Sequence, residues 1–201
     1  ACAPYRRLHL CNKNMEKMGR TSTTKHDLLA EVCLAAKFEG ESIKHYSEKY
    51  DLKYPSSVSS FTTCTMLARS FADIGDIVRG RDLYGGSKKE KEKREKLENN
   101  LKTIFGKIHS GLSNGAQTYY NDNDKDKNYY KLREDWWEAN RETVWKAMTC
   151  EANGTYFRPT CSDRNERGQS QARNKCTCNN GDVPTYFDYV PQYLRWFEEW
   201  A

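Results

Sequence analysis

Aliphatic side chains are scarce in this sequence, in which Leu, Ile, Val and Phe together account for 31 of 201 residues. So low a fraction is typical of intrinsically disordered chains. Three features argue against disorder, namely a net charge of only +5, eight cysteines, and the large side chains of 13 Tyr and 5 Trp. We therefore expect a folded domain that buries aromatic side chains and uses cross-links where other domains bury aliphatic ones.

Long apolar runs and a leader sequence are missing as well. No apolar run approaches the ~18 residues that indicate a membrane-spanning helix, so no membrane span is predicted within this segment. The sequence begins with neither an initiator Met nor a signal peptide. At the other end, Tyr193, Trp196, Phe197 and Trp200 follow helical spacing almost to the last residue. We expect the sequence to be a segment of a longer protein.

Motifs for catalysis and for metal binding are also lacking. The sequence contains neither His-Glu-x-x-His nor Gly-x-Ser-x-Gly. Cys176-x-Cys178 lacks the usual spacing of zinc ligands and has no histidine nearby. We predict that the chain is not an enzyme and that it holds no metal and no cofactor. The four histidines share no common spacing: His9, His26, His45 and His109.

Eight cysteines in a chain of this size indicate an oxidising compartment and a disulfide framework. Their even number permits complete pairing, although the sequence does not choose among the possible pairings. A zinc site and free thiols are the alternatives. The cysteines that we expect to be cross-linked are Cys2, Cys11, Cys33, Cys64, Cys150, Cys161, Cys176 and Cys178.

The spacing of apolar residues predicts a mainly α-helical fold in which strand signals are nearly absent. The clearest stripe lies within residues 87–112, where apolar side chains recur at helical spacing from Leu97 onward. A capping pattern at residues 24–27 precedes a helix that we expect to weaken at Gly40. Three more helices are predicted, one after Pro55, one over residues 129–148 and one that begins near Pro191.

Three regions are predicted to be irregular. Residues 1–22 form a basic lead, and residues 113–128, rich in Asn, Asp and Gly, form an exposed loop. Residues 150–183 contain four cysteines and almost no aliphatic side chains, which predicts a cross-linked loop region. The tryptophans stand at helical spacing and are therefore assigned to the core rather than to a carbohydrate platform. They are Trp136, Trp137, Trp145, Trp196 and Trp200.

A run of seven cations and four glutamates extends over residues 88–102. One interpretation is a solvated helix with i,i+4 ion pairs, such as Glu92–Lys96 and Arg94–Glu98. The other is a docking surface for a sulfated glycan or a sialylated surface, because such polymers carry negative charge along their length. The candidate binding residues are Lys88, Lys89, Lys91, Lys93, Arg94 and Lys96.

A second group of cations lies in the cross-linked loop region, interspersed with two acidic residues. A loop held by cross-links can present arginines for recognition, because loops on a rigid scaffold carry specificity. The alternative is a solvated loop without a ligand. The candidates are Arg158, Arg164, Arg167 and Arg173, followed by Lys175.

Five stretches of the sequence resemble one known family, the Duffy-binding-like alpha domain of Plasmodium falciparum erythrocyte membrane protein 1. Long stretches of this kind are specific, and together they anchor nearly the whole chain. They are residues 1–11 (ACAPYRRLHLC), 68–84 (ARSFADIGDIVRGRDLY), 132–137 (LREDWW), 140–150 (NRETVWKAMTC) and 184–200 (PTYFDYVPQYLRWFEEW).

The resemblance implies a disulfide-braced helical bundle of the Duffy-binding-like type with long irregular loops. Residues 1–55 are similar to the end of the cysteine-rich first subdomain, and residues 56–201 to the helix-bundle second subdomain, with a disulfide-held loop at 150–183. The family's third subdomain is not present. The four cysteines that follow residue 73 resemble the four-cysteine variant of the family.

The resemblance also implies a function, which is adhesion of a variant surface antigen. Such a domain lies on the extracellular face of the infected red-cell membrane, within a longer membrane-anchored protein. The implied partners are a host cell-surface protein, a heparan-sulfate-like or blood-group glycan, antibodies, and adjacent domains of the same chain, but not nucleic acid. The alternative is a structural and immune-decoy domain that supports an adjacent receptor-binding domain. The family shares no single receptor site, so no binding residue is transferred.

Overall fold

The computed structural model of the chain describes residues 2–18, 25–53, 59–121, 127–152, 159–162, 169–172 and 175–200. Helices dominate these residues, which confirms the predicted helical fold. The helices are α1 (Tyr5–Leu8), α2 (Lys25–Lys53), α3 (Ser59–Arg79), α4 (Lys88–Ser110), α5 (Asn114–Tyr119), α6 (Tyr130–Thr149) and α7 (Gln192–Trp200). Single 3-10 turns lie at Met15–Lys17 and Phe187–Tyr189, and strands β1 (Cys161–Ser162) and β2 (Gln169–Ser170) pair antiparallel.

Helices α2, α3 and α6 pack against one another and form the centre of the fold. The Phe71 ring of α3 lies 5.0 Å from the ring of Trp137 and 5.2 Å from the ring of Trp145, measured between centroids. All three side chains are completely buried. Aromatic pairs at such distances stabilise a core by about 0.5–1.5 kcal/mol beyond the burial of their area. The predicted aromatic core is therefore confirmed.

Helix α2 runs without a break through Gly40, so the predicted weakening at this residue is wrong. A Cβ atom at position 40 would collide with the carbonyl oxygen of Met148 on α6. Likewise, a Cβ atom at Gly75 of α3 would lie 2.8 Å from the Trp137 ring. Glycine is unfavourable inside a helix by about 1 kcal/mol relative to alanine, but here it allows two helices to approach closely.

Helix α4 confirms the helix predicted within residues 87–112, whereas α5 lies in a segment that was predicted to be a loop. Leu97, Leu101, Ile104 and Phe105 of α4 are all buried. The loop predicted over residues 113–128 contains α5, which the polar composition of this segment does not predict. The Gln117 side chain donates hydrogen bonds to the carbonyl oxygens of Ser110 and Leu112, and these bonds connect α5 to the end of α4.

Disulfides hold the predicted cross-linked loop region. Cys64 of α3 is bonded to Cys176, and Cys161 of β1 is bonded to Cys178. The other four cysteines are free thiols, so the prediction that all eight are cross-linked is wrong for them. They are Cys2, Cys11, Cys33 and Cys150.

Helix geometry explains why two of the free thiols do not pair. The Cys11 amide donates a hydrogen bond of 3.0 Å to the Glu39 carboxylate, so Cys11 lies near residue 39 of α2. Cys33 precedes Glu39 by six residues, which is about 9 Å along the helix axis, whereas a disulfide needs Cα atoms within about 7 Å. Burial, with the Glu39 carboxylate, raises the pKa of Cys11 to about 11, and burial raises the pKa of Cys33.

The predicted lead contains α1 and one 3-10 turn and is otherwise irregular. Its side chains Leu10, Met15 and Met18 are buried in the same hydrophobic core as the central helices. The Asn100 side chain of α4 donates a hydrogen bond to the carbonyl oxygen of Met18, so the lead is also held against α4. The subdomain boundary at residue 55 stays a prediction.

Helix α7 lies against α3 and exposes much of its apolar stripe. Trp196 is buried, but Tyr193 is 51% exposed, Phe197 69% and Trp200 61%. The assignment of all five tryptophans to the core is therefore wrong for Trp200, whose indole N–H donates a hydrogen bond to the carbonyl oxygen of Cys2 at an exposed position. Trp136 is half-buried.

Candidate functional site

The basic run begins where α4 begins, at a capping box. The Ser87 amide donates a 2.6 Å hydrogen bond to the Glu90 carboxylate, and the Ser87 hydroxyl accepts a hydrogen bond from the Glu90 amide. Both bonds satisfy groups that the first turn of a helix leaves without partners. Hydrogen bonds from Ser87 hold the pKa of Glu90 below its ordinary value. The local sequence thereby fixes the direction in which the following cations project.

Four of the six candidate cations project away from the core. A helix turns by about 100° per residue, which places Lys88 opposite Leu97 and the other three on the flanks of the helix, Lys89 and Lys96 on one flank and Lys91 on the other. They are exposed and make no ion pair with any residue that the structure describes. We call this surface the outer face of α4, and its cations are Lys88, Lys89, Lys91 and Lys96.

The other two candidate cations flank the buried side of α4 and bond to neighbouring segments. The Lys93 ammonium lies 3.7 Å from the Glu16 carboxylate of the lead. The Arg94 guanidinium donates hydrogen bonds to the carbonyl oxygens of Asp82 and Tyr84. Both side chains are exposed, but Arg94 in particular holds the segment between α3 and α4. A role in ligand binding for these two residues stays a prediction.

The two i,i+4 ion pairs predicted for this helix do not form. Arg94 contacts the segment between α3 and α4, and Glu98 accepts hydrogen bonds of 2.6 and 3.0 Å from Arg133 of α6. Arg133 is completely buried, so its charge requires a carboxylate partner more strongly than an exposed arginine does. The interhelical pair therefore replaces the pair within the helix.

A cavity of about 370 Å³ lies between α4 and the lead, near the start of α6. Its lining includes the aliphatic side chains of Leu10, Ile77 and Leu97. The rings of Tyr84 and Tyr130 lie at the same cavity. The residues come from four separate parts of the sequence, so no local pattern could have indicated the cavity.

A buried ion network joins the lead, α3 and α7. The Arg195 guanidinium lies 2.8 Å from Asp73 and 2.5 Å from Asp76, and Arg6 lies 2.7 Å from Asp73. Burial raises the pKa of Asp76 to about 6, although Arg195 and Arg79 act in the opposite direction. Burial opposes ionisation of Asp73 too, but Arg6 and Arg195 outweigh it and lower the pKa of Asp73.

A second buried pair connects the lead to the segment after α3. Arg7 donates hydrogen bonds of 3.2 and 2.5 Å to the Asp82 carboxylate, and its guanidinium lies 4.6 Å from the centre of the Tyr84 ring. Gln192 of α7 donates a third hydrogen bond of 2.8 Å to Asp82. These arginines and carboxylates connect the lead, α3 and α7 through bonds made within the chain.

The second predicted group of cations lies mostly outside the described residues. Lys175 is described and exposed. The structure therefore places one member of the group at the surface and does not test the remainder. The members outside the described residues are Arg158, Arg164, Arg167 and Arg173.

The described residues contain no group of three or more His, Cys, Asp or Glu side chains arranged to hold a metal ion. None of the described helices combines the length and apolar character that a bilayer span requires. The His109 ring donates a 3.0 Å hydrogen bond from Nε2 to the Gln117 carbonyl oxygen and lies 5.3 Å from the Tyr129 ring, which is a packing arrangement. A role for the charged surface of α4 and the adjacent cavity in contacting a ligand stays a prediction.

Several known proteins are similar to this chain. The NTS-DBL1(alpha-1) domain of the Plasmodium falciparum membrane protein 1 (PfEMP1) from the varO strain is 42% identical, with a TM-score of 0.79. The match covers 100% of this chain and 43% of that one. The ICAM-1-binding PfEMP1 IT4var13 DBLbeta domain is 35% identical over 97% of this chain and 41% of that domain's chain, with a TM-score of 0.72.

A curated relative, the Duffy receptor beta form of Plasmodium knowlesi, is 24% identical over 209 residues, which span 100% of this chain and 14% of the relative. The chain thus spans less than half the length of each of these relatives. Two of these relatives carry names that describe receptor contacts, one an ICAM-1-binding domain and the other a Duffy receptor, and neither name is that of an enzyme. A family model of the Duffy binding domain matches residues 1–195. The chain belongs to the Duffy binding domain family.

Proposed function

We propose that this chain is an extracellular adhesion module that binds a host-cell surface receptor or a sulfated glycan and carries out no catalysis. The observation that carries this proposal is the match to the ICAM-1-binding domain, at 35% identity over 97% of the chain. A fold shared at this level of identity supports a common type of role, which is contact with a surface partner. It does not transfer the particular receptor.

The outer face of α4 is the proposed contact surface for a sulfated glycan. Its four exposed lysines have no carboxylate partner among the described residues, so binding an anionic polymer would break no ion pair there. Attraction between such lysines and a repeating polyanion acts over roughly a Debye length, about 8 Å at physiological salt. The glycan at this surface would be heparan-sulfate-like, and a blood-group glycan, which is uncharged, stays a proposed partner without an assigned surface. Arg158, Arg164, Arg167 and Arg173 remain candidates for a second contact.

The proposed setting is the extracellular face of an infected red cell, within a longer membrane-anchored protein. The chain covers less than half of the relatives described above, so adjacent domains are proposed as partners. The division into a first subdomain up to residue 55 and a second subdomain from residue 56 belongs to this proposal. Antibodies are the other proposed partners, because exposed charges on α4 are accessible to them.

A structural and immune-decoy role is the second candidate. The lysines of the outer face make no contacts that the core needs, so substitutions there leave the fold intact. A surface with this property can vary under antibody selection without any ligand. Deletion of this domain from a larger protein that keeps its full adhesion would favour this second role.

The test of the first role is binding of the folded, monomeric chain to uninfected red cells, to endothelial cells and to immobilised heparin. The key variant carries Glu at positions 88, 89, 91 and 96. We expect heparin binding to be lost and the salt dependence of any residual binding to be flattened, because the attractive charges are reversed.

A matched control variant carries Glu in place of four exposed lysines elsewhere, namely Lys17, Lys37, Lys49 and Lys127. It has the same net charge as the key variant, so a loss of binding confined to the key variant assigns the effect to the outer face of α4. Equal losses in both variants would show that net charge alone is responsible. Absence of binding by the folded wild-type chain to all three targets would contradict direct adhesion.

A further inference from the structure

The cavity beside α4 has the size and lining of a ligand site. Its volume of about 370 Å³ falls within the range of about 300–1,000 Å³ that small-molecule and side-chain sites occupy. Leu10, Ile77 and Leu97 form aliphatic walls, each of them buried against the core. A ligand group that enters this cavity therefore meets a fixed apolar surface.

Most charged groups of the cavity are already neutralised within the chain. The Arg7 guanidinium is bonded to both carboxylate oxygens of Asp82. Glu98 accepts two hydrogen bonds from Arg133, and Lys93 lies 3.7 Å from Glu16. These groups have little capacity left for the many hydroxyl groups of a sugar.

Two ammonium groups at the cavity differ from these paired charges because neither has a carboxylate partner in the part of the chain that the structure describes. Lys13 of the lead and Lys102 of α4 both belong to its lining, and neither forms an ion pair with any residue that the structure describes. Lys102 is half-buried, whereas Lys13 is exposed. Two unpaired cations next to aliphatic walls match a carboxylate that is carried on an apolar chain.

We propose that this cavity binds an acidic peptide segment of a protein partner, in which Asp or Glu alternates with aliphatic residues. The carboxylates contact Lys13 and Lys102, and an aliphatic side chain packs against Ile77 and Leu97. The inference deepens the proposed adhesive function and rests on it for the source of the peptide. It adds a protein-binding site whose lining includes Lys13 and Lys102 but none of the four lysines of the outer face.

The experiment is an NMR titration of the whole 201-residue chain, labelled at backbone amides and at Ile and Leu methyl groups. The probe is the blocked peptide acetyl-Leu-Glu-Leu-Glu-Leu-amide, and the control probe carries Gln in place of both Glu residues. We expect saturable shifts at the Ile77 and Leu97 methyls with the acidic peptide. We expect binding of the neutral peptide to be about tenfold weaker, and binding of the acidic peptide to weaken with added salt.

Variants of the lysines test the assignment. Lys13→Gln and Lys102→Gln each weaken binding of the acidic peptide about threefold, as expected for one partly exposed charge pair. Lys96→Gln, on the same helix but on its outer face, leaves the peptide affinity unchanged. Because all three positions are at least partly exposed, the variants should melt at the wild-type temperature, which circular dichroism checks.

Equal affinity for the two peptides, shifts that avoid Ile77 and Leu97, or no loss of affinity in the Lys13 and Lys102 variants would each overturn the proposal. Failure of the proposed adhesive function can be distinguished from failure of the cavity proposal. If the wild-type chain binds neither cells nor heparin but still binds the acidic peptide, the adhesive role fails and the cavity site stands. If cells are bound and the peptide is not, the cavity inference alone fails.

Discussion

Arginine and lysine occupy two contrasting regions of this molecule. In the interior, Arg195 and Arg6 form bonds below 3 Å with the carboxylate of Asp73 at the junction of the lead, α3 and α7. On the outer face of α4, lysines such as Lys88 and Lys91 are exposed and form no ion pair with a described residue. The contrast indicates that the buried charges stabilise the fold, whereas the exposed charges are available for binding.

The chemistry of the two side chains accounts for this distribution. The planar guanidinium of arginine donates several hydrogen bonds in a fixed geometry, so it can bridge two carboxylates in a dry interior. The lysine ammonium is strongly hydrated and flexible, and it stays in water at little free-energy cost. The cations of this sequence therefore fall into two groups, arginines buried in ion pairs and lysines exposed to solvent.

The largest expected effect follows removal of a cation from the interior. Arg195→Met leaves Asp73 and Asp76 without their shared partner, and we expect the free energy of unfolding to fall by about 3–5 kcal/mol. Urea unfolding followed by circular dichroism measures it. The control is Arg81→Met, which removes an arginine that is 56% exposed and paired with Glu134. For Arg81→Met we expect the free energy of unfolding to fall by about 1 kcal/mol or less. Equal losses in the two variants would contradict the difference between buried and exposed arginines.

Removal of a disulfide is expected to have the next largest effect. Replacing both Cys64 and Cys176 by Ala opens a loop with a sequence separation of 112, whereas replacing Cys161 and Cys178 opens one of 17. Each loss is expected to be about 2–4 kcal/mol and to be larger for the longer loop. Thermal melts of both double variants measure the difference. An unchanged melting temperature in both would contradict a stabilising role for the cross-links.

The pH dependence of stability reports on Asp76. Its pKa is raised from the ordinary value of 3.8 to about 6 in the folded chain, so folding takes up a proton between these values. Stability from this group is therefore present below pH 4 and is lost as the pH rises through about 6. The loss is at most about 3 kcal/mol.

Asp76→Asn removes this titration, so we expect its unfolding free energy to change less between pH 4 and pH 7 than that of the wild type. Urea unfolding at several pH values measures both slopes. The lowered pKa of Asp73 places its titration below this window. Identical slopes in the two proteins would show that Asp76 titrates near its ordinary value.

The smallest expected effect on stability comes from the outer face of α4. The variant with Glu at positions 88, 89, 91 and 96 is expected to unfold within about 1 kcal/mol of the wild type, because exposed substitutions change stability little. Its heparin binding is nevertheless expected to be lost. A decrease in stability comparable to that of Arg195→Met would show that these lysines support the fold.

The sequence predicted those parts of the fold that depend on local spacing. Leu97 and Leu101 of α4 recur at a helical interval, as do Trp137 and Trp145 of α6, and all four are buried as expected. The predicted weakening of the helix at Gly40 is wrong because the glycine is needed for close contact with Met148, a residue more than 100 positions away in the sequence. Periodicity describes one helix at a time, whereas the need for a glycine is set by the helix that crosses it.

The candidate site was predictable only in part. The basic run marked the position of α4, but the spacing did not separate Arg94, which bonds to Asp82 and Tyr84, from the four lysines of the outer face. The i,i+4 spacing predicted an ion pair between Arg94 and Glu98, but Glu98 is instead bonded to the buried Arg133. Such choices depend on which charges are removed from water, and that is a property of the assembled helices.

The meeting of the two ends of the described chain has a mechanical consequence. The Trp200 indole donates a 3.0 Å hydrogen bond to the Cys2 carbonyl oxygen, and Arg6 forms two hydrogen bonds with Glu199. A tensile load applied between residues 2 and 200 would therefore act first on these three hydrogen bonds and only afterwards on the helix bundle. The three bonds would break one after another rather than all at once. The core would remain folded while the ends yield.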